Sequence, residues 1–176
     1  MELQGDGVIL RTWRMEDVPT VTEACRDAEI ARWLALVPQP YTEEHARFYV
    51  EECIQADDDR RPFAIADAST GDLVGSIDMR INRLQTGHVG YWVVAQARGR
   101  GVASEALRAI SRWALAELGL GRVELVADPG NVASQRVAEK AGFQREAVLR
   151  SILLNRDGSR RDGVMFSLLP DDLGGT

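Results

Sequence analysis

The segment Gln96-Ala97-Arg98-Gly99-Arg100-Gly101-Val102-Ala103 constrains what this chain can fold into more than any other. It lies between an apolar run, Val89 to Val94, and a helix-patterned stretch that ends near Leu118. Two glycines one residue apart let the backbone turn tightly without a Cβ in the way, so consecutive N–H groups converge on one anion. The following helix adds the unpaired amides and positive dipole end of its first turn. Arg98 and Arg100 bring charge to the same place. The segment reads as a phosphate cradle joining a strand to a helix. A dinucleotide fingerprint needs a third glycine where Ser104 stands, and a Walker loop needs Gly-Lys-Ser or Gly-Lys-Thr, which the chain lacks. Taken alone, the segment leaves open whether it holds an anion or serves only as a turn.

The pattern on either side sets the architecture. Gly7 to Arg11 reads as a strand, followed by a broken helical stretch from Glu16 and Asp17 to about Leu36, which Pro38 and Pro40 end. Thr42 is an N-cap for a second helix carrying His45, Phe48, Tyr49, Glu52 and Cys53 at helical spacing. Arg61 to Asp67 and Leu73 to Asn82 read as strands joined by the turn Ser69-Thr70-Gly71-Asp72, and His88 to Val94 as a third. After the cradle come a helix from Val102 to Leu118, a strand from Arg122 to Ala127 and a short helix from about Ala133 to Ala141. Two last strands flank the turn Asn155-Arg156-Asp157-Gly158. This order is an α+β plan, with antiparallel hairpins in the middle and a right-handed parallel crossover around the cradle. One domain over residues 1–170 is expected, with 171–176 as a frayed tail.

A second segment, Asn131-Val132-Ala133-Ser134 leading through a short helix to Gly142-Phe143, follows the first by about thirty residues, across one helix and one strand. By itself it reads as N-cap, C-terminal glycine and core phenylalanine. Together, Gln-x-x-Gly-x-Gly and Asn-x-x-Ser in this order of elements resemble the acetyl-CoA-binding signatures of the GNAT superfamily of N-acetyltransferases. Gly90-Tyr91-Trp92-Val93 and the Arg-x-Gly-x-Gly form of the cradle are closest to the branch named for ribosomal-protein alanine N-acetyltransferases.

The resemblance implies the GNAT fold, a mixed and mostly antiparallel sheet with helices on both faces. It also implies transfer of acetyl from acetyl-CoA to a primary amine, a small molecule or a peptide N-terminus, by direct attack in a ternary complex. Amides of Arg98, Gly99, Arg100, Gly101, Val102 and Ala103 would hold the pyrophosphate, with a Cβ at Gly99 or Gly101 closing the cradle. Val93 and Val94 would pair with the pantetheine arm as an added strand, and Asn131 and Ser134 would meet its sulfur end. Many members place a tyrosine acid on the helix after the Asn motif, where this chain has Ala138. Ser134 is the substitute candidate for the acid. For the base, His88 comes first and Asp78 second; Glu105 reads as structural. Trp33, Pro38, Pro40, Tyr41 and the final hairpin are expected around the acceptor. Without a marked acid, a non-catalytic acyl-CoA sensor of the same fold is the competing reading.

Composition narrows the setting. A net charge of −6 argues against general nucleic-acid binding. The distribution says more, because from Gln96 to Arg112 four arginines face one glutamate, while Glu51, Glu52 and Asp57 to Asp59 form an acidic stretch. An anionic donor and a cationic acceptor fit that division. Two cysteines, Cys25 and Cys53, are expected as reduced thiols, and His45 and His88 are too scattered for a metal site. No secretory signal or membrane-length apolar run is legible, so a cytoplasmic protein is expected. A homodimer is compatible with the edges of the final hairpin.

Overall fold

A computed structural model of the chain describes residues 1–174. Its strands are β1 (Leu3–Gly5), β2 (Val8–Arg11), β3 (Arg60–Asp67), β4 (Leu73–Ile81), β5 (Thr86–Val93), β6 (Arg122–Ala127), β7 (Gln144–Leu154) and β8 (Arg160–Leu168). The helices are α1 (Val18–Cys25), α2 (Ala28–Trp33), α3 (Glu43–Ile54), α4 (Val102–Ala116) and α5 (Val132–Lys140). The strands form one sheet in the order β1-β2-β3-β4-β5-β6-β8-β7. Every neighbouring pair is antiparallel except β5 and β6, which the α4 crossover makes parallel.

Alternation along the strands gives the two faces separate helices. Phe63 on β3 meets Trp113 of α4 edge to face at 5.9 Å, and Ile77, the cross-strand partner of Phe63, is fully buried beside it. On the opposite face the Tyr49 hydroxyl of α3 lies 2.8 Å from Ser76 Oγ of β4. The register pairs Ser76 with Trp92, Asp78 with Gly90 and Arg80 with His88, so all six residues share the α3 face. Local chemistry sets the helix ends as the sequence implies. Thr42 Oγ1 accepts from His45 N at 3.3 Å, and Gly119 leaves α4 with φ +68°. Cys25 and Cys53 are free and buried, and burial pushes both thiols up to about 11.

β5 and β6 pair only over Thr86↔Arg122, Gly87↔Val123 and His88↔Glu124. Beyond that point they diverge, and β6 continues against β8 alone as far as Ala127. The second half of β5 thus has no strand on that side. At the closed end of this fork, Glu124 on β6 meets both His88 Nδ1, at 2.9 Å, and Arg122 Nε, at 2.6 Å. Arg122 also grips both carboxylate oxygens of Glu146 on β7. The Arg122 guanidinium first, and the Ser167 hydroxyl after it, hold the Glu146 carboxyl down at about 2.

Two regions depart from the sequence reading. β1 is a three-residue strand that hydropathy alone does not mark. The expected tail is held by a 3-10 turn over Pro170–Gly174, in which Asp172 accepts from Gln144 Nε2 and Leu169 N, each at 2.8 Å. Residues 175–176 of that segment lie outside the described ones.

The start of α1 depends on a buried ion pair. Arg11 donates to both oxygens of Asp17, at 2.9 and 2.7 Å, and Asp17 Oδ2 also accepts from Arg14 N. Replacing Asp17 by Ala strands a buried guanidinium, so a loss of about 3–5 kcal/mol is expected in denaturant unfolding. Glu146 has a folded-state value below its unfolded one, so its contribution is complete above about 4.5 and is lost as pH falls towards about 2. The melting temperature of Glu146→Gln should therefore vary less over that window than that of the parent.

Candidate active site

The fork between β5 and β6 opens into a cleft of about 450 Å³. Val89 to Val93 line one side, Leu125 to Asp128 the other, and α5 contributes Ser134 and Val137, with its cap Asn131, near the cradle loop. Antiparallel hydrogen bonding alternates. Because Val94 N donates to Val74 O at 3.0 Å, Val93 and Tyr91 turn their main-chain groups away from β4, towards the fork.

From Gly99 through Ser104, no backbone N–H finds a protein acceptor among the described residues; Glu105 N, bonding Gly101 O at 3.0 Å, is the first that does. Gly99 and Gly101 have φ of +76° and +86°, a region costly for residues with a Cβ. A Cβ at either would meet no protein atom within 4 Å. Glycine is thus favoured here by backbone conformation, with no protein atom crowding either position. The loop ends where α4 begins, so its free amides and the dipole of a 15-residue helix coincide.

The side chains of the two cradle arginines are paired with carboxylates, and of the two Arg98 lines the cleft. Arg98 bonds Asp27 at 2.6 Å and Val93 O at 3.2 Å, and Arg100 reaches Asp67 at 3.1 Å. The Arg98 guanidinium, with the first amides of α2 behind it, holds the Asp27 carboxyl below its usual range. Asp27 caps α2, so Arg98 ties the cradle to that helix. Val94 also differs from expectation. It is buried, its N–H is given to Val74 and its carbonyl to Ala97 N, which leaves Val93 as the strand-end residue with groups facing the fork.

Asn131 caps α5 by accepting from Ser134 N at 3.0 Å, which leaves its amide nitrogen uncommitted among the described residues. Ser134 Oγ lies 2.9 Å from the Tyr91 hydroxyl, so a β5 side chain crosses the fork to α5. Burial pushes the Tyr91 phenol up to about 12, against a smaller downward pull from Ser134. Ala138 is fully buried, so a core methyl fills the place where the family pattern puts a tyrosine. In the sequence Tyr91 stands out only as one member of the Gly-Tyr-Trp-Val pattern. The available signal for its position was strand alternation, which places it beside Val89 and Val93.

A second cleft, of about 620 Å³, lies on the α3 face and shares Trp33, Leu34, Gly90, Tyr91 and Trp92 with the first. Tyr41 lines it as a buried residue, and the segment around Pro38 borders it. Arg156, in the final hairpin turn, donates to the carbonyls of Val37 and Ala31, at 2.7 and 3.0 Å, and docks that hairpin onto the same segment. Asp78 lines this cleft. Its Oδ2 accepts from Arg60 Nε at 2.8 Å, while its Oδ1 is buried without a partner among the described residues. Burial is the largest single influence on Arg60 and works against its charge, but the hydrogen bond to Asp78 and the charge of that carboxylate together keep the guanidinium above its ordinary value.

His88 lines neither cleft. It stands at the closed end of the fork, half exposed, between Glu124 and Asn82. The structure therefore brings Ser134 and Asp78 to connected clefts and leaves His88, the first choice for the base, outside. Glu105 pairs with Arg108 within α4, as its structural reading implies.

Residues 8–144 match the family model described as an acetyltransferase (GNAT) domain. The probable N-acetyltransferase YjcK of Bacillus subtilis is 37% identical over 120 residues, a match spanning 65% of each chain and so less than two thirds of that relative. YokL of the same species, a prophage-derived uncharacterized N-acetyltransferase, is 30% identical over 96% of this chain and 93% of its own. Mycobacterium smegmatis RimJ in complex with CoA-disulfide superposes with a TM-score of 0.82 at 22% identity, over 100% of this chain and 89% of that one, which shows a shared fold. With most of its length inside the family model, the chain belongs to the GNAT family of acetyltransferases.

Proposed function

We propose that this acetyltransferase moves the acetyl group of acetyl-CoA to a primary amine by direct attack in a ternary complex. The observation that carries this reading is the meeting of two clefts at Tyr91 and Trp92, one beginning at a run of free amides and the other holding an unpartnered carboxylate oxygen. The first suits an anionic, elongated donor. CoA-disulfide in the RimJ structure supports the same assignment.

In this reading the amides from Arg98 to Ala103 take the pyrophosphate, with Gly99, Arg100, Gly101 and Val102 between them. Arg98 N itself is turned to Ala95 O at 3.3 Å, so the stronger donors begin at Gly99. Val93 pairs with the pantetheine arm as a strand edge, and the Asn131 amide nitrogen meets a pantetheine carbonyl. An amide at this strand end also polarises the thioester carbonyl as negative charge grows on its oxygen.

An amine of pKa about 8 to 10 gives its ammonium proton to solvent before its lone pair can attack, which leaves one further proton to be removed during the reaction. Asp78 Oδ1 stands ready to receive the proton that leaves nitrogen as the C–N bond forms. When the C–S bond breaks, its electron pair goes to sulfur. The Ser134 hydroxyl donates to that sulfur while the Tyr91 phenol, neutral at any working pH, hydrogen-bonds Ser134 Oγ and fixes its orientation. Tyr91 is a positioning residue in this scheme, reaching α5 from β5 where the family pattern has a tyrosine on the helix. The ribosomal-type branch that the sequence motifs resemble fits the reaction and leaves the acceptor to the second cleft.

Two sets of outcomes are expected. Gly101→Val forces a β-branched residue into left-handed backbone at about 1–2 kcal/mol and crowds the anion, so calorimetry should show CoA affinity falling more than about 10-fold. Arg100→Ala should weaken it only a few-fold, because its guanidinium is held by Asp67. Equal loss from both variants would show that charge, not the main chain, holds the pyrophosphate. Tyr91→Phe and Ser134→Ala should each lower kcat by about 100-fold, the lower end for general acid catalysis. The KM for acetyl-CoA should stay unchanged, and the double variant should be no worse than Ser134→Ala. His88→Ala should retain parental kcat; a collapse would restore it as the base.

A further inference from the structure

The second cleft carries information about the amine, provided that the chain is the transferase proposed. Its walls include Trp33, Leu36, Phe48, Tyr49, Trp92 and Leu154. Three of these are large apolar side chains left in the open, Leu36 at 84% exposure, Phe48 at 64% and Leu154 at 40%. Such residues clustered on the rim of a cleft mark a surface that an apolar body is meant to cover.

The polar groups are mostly spent on one another. Tyr49 and Ser76 share a hydrogen bond, Arg60 is held by Asp78, and Arg161 pairs with Asp128. Of the two remaining charges near the mouth, Glu52 and Arg80 have opposite signs. One buried acceptor is left uncommitted, Asp78 Oδ1. Gly90, the cross-strand partner of Asp78, has no side chain, and a Cβ built on it would meet no atom within 4 Å. No side chain at Gly90 therefore stands beside Asp78 on this face of the sheet, and Gly90 itself lines both clefts.

We propose that the acceptor is a small primary monoamine whose nitrogen is borne on an aromatic or branched hydrocarbon body. Its single ammonium is drawn to Asp78 and its body lies against the ring and leucine walls. A polyamine would bring a second ammonium either against hydrocarbon or to Glu52, which shares the cleft with the Arg80 guanidinium. An aminosugar would bring several hydroxyls to walls whose polar groups, apart from Glu52, Arg80 and His45, are mostly engaged with one another. A peptide would do the same with its backbone amides.

The test follows thiol release from acetyl-CoA with 2-phenylethylamine, isoamylamine, ethanolamine, spermidine, kanamycin and a leucine-initiated tripeptide. The two apolar monoamines should exceed ethanolamine in kcat/KM by about 10- to 200-fold, the scale of a few methylenes in an apolar pocket. Phe48→Ser should raise KM for 2-phenylethylamine and leave that for ethanolamine unchanged. Gly90→Ala, whose Cβ the surrounding space accommodates, should keep the parental melting temperature while lowering turnover of the apolar amines. Preference for spermidine or kanamycin overturns the proposal, and preference for the tripeptide assigns the cleft to a polypeptide N-terminus and overturns it equally. If no amine turns over, calorimetry of 2-phenylethylamine with the CoA-loaded protein separates the acceptor proposal from the transferase reading. Binding that Phe48→Ser weakens upholds the acceptor proposal and sinks the transferase reading, whereas absence of binding sinks the acceptor proposal.

Discussion

The divergence of β5 from β6 after His88 and Glu124 is the constraint on which the rest depends. A parallel pair needs a crossover, and the crossover here is α4, whose first turn supplies the cradle. Had the pair stayed zipped to Val93, the amides of Tyr91 and Val93 would be spent on β6 and the Tyr91 ring would have no route to α5. The fork instead closes at one end on Glu124, shared by His88 and Arg122, and opens at the other onto Ser134. The His88–Glu124 pair thus joins the two strands at the apex, and His88 lines neither cleft.

The cradle shows how backbone and side chains divide the work. Its free amides need no particular side chain, only φ values that glycine adopts without strain. That frees Arg98 and Arg100 for another task. Arg98 clamps Asp27, the cap of α2, and α2 ends in Trp33, which lines both clefts. Position of the cradle and position of the wall between donor and acceptor are therefore coupled through one ion pair. Such a link is screened where exposed, but here it is reinforced by hydrogen bonds from Arg98 to Val93 O and from the first amides of α2 to Asp27.

Donor-side features were legible in the sequence because they are local. Gly99, Gly101, Asn131 and Gly142 declare turns and caps within a few residues of where they act, and apolar periodicity located α4, β6 and both final strands within a residue or two. What the sequence hid depends on distant partners. Asp78 is a second candidate in the sequence, but its place in a cleft that His88 does not line depends on a register with β5, and its bond comes from Arg60, 18 residues away; the contact of Tyr91 with Ser134 spans 43 residues. The family resemblance puts Val93 and Val94 alike at a strand edge, yet the main-chain groups of Val94 are taken by Val74 and Ala97. β1 is too short to show a period, and the turn at Pro170 reads as a tail until Gln144 is brought beside Asp172.

The same contrast explains why the reaction is easier to read than its acceptor. One stretch from β5 through α5 furnishes nearly all of the donor cleft, whereas the acceptor cleft is assembled from α1, the segment after α2, α3, β4, β5 and the final hairpin. Each contributes a side chain whose meaning depends on the others. Phe48 is an ordinary exposed helix residue until the hairpin, docked by Arg156, brings Leu154 to the same cleft. Asp78 is an ordinary strand carboxylate until Gly90 leaves the space beside it open. Under the function proposed, exchange of these walls would alter which amine fits without touching the loop amides, so specificity could change on one side of the fork while Ser134 and its neighbours stay as they are.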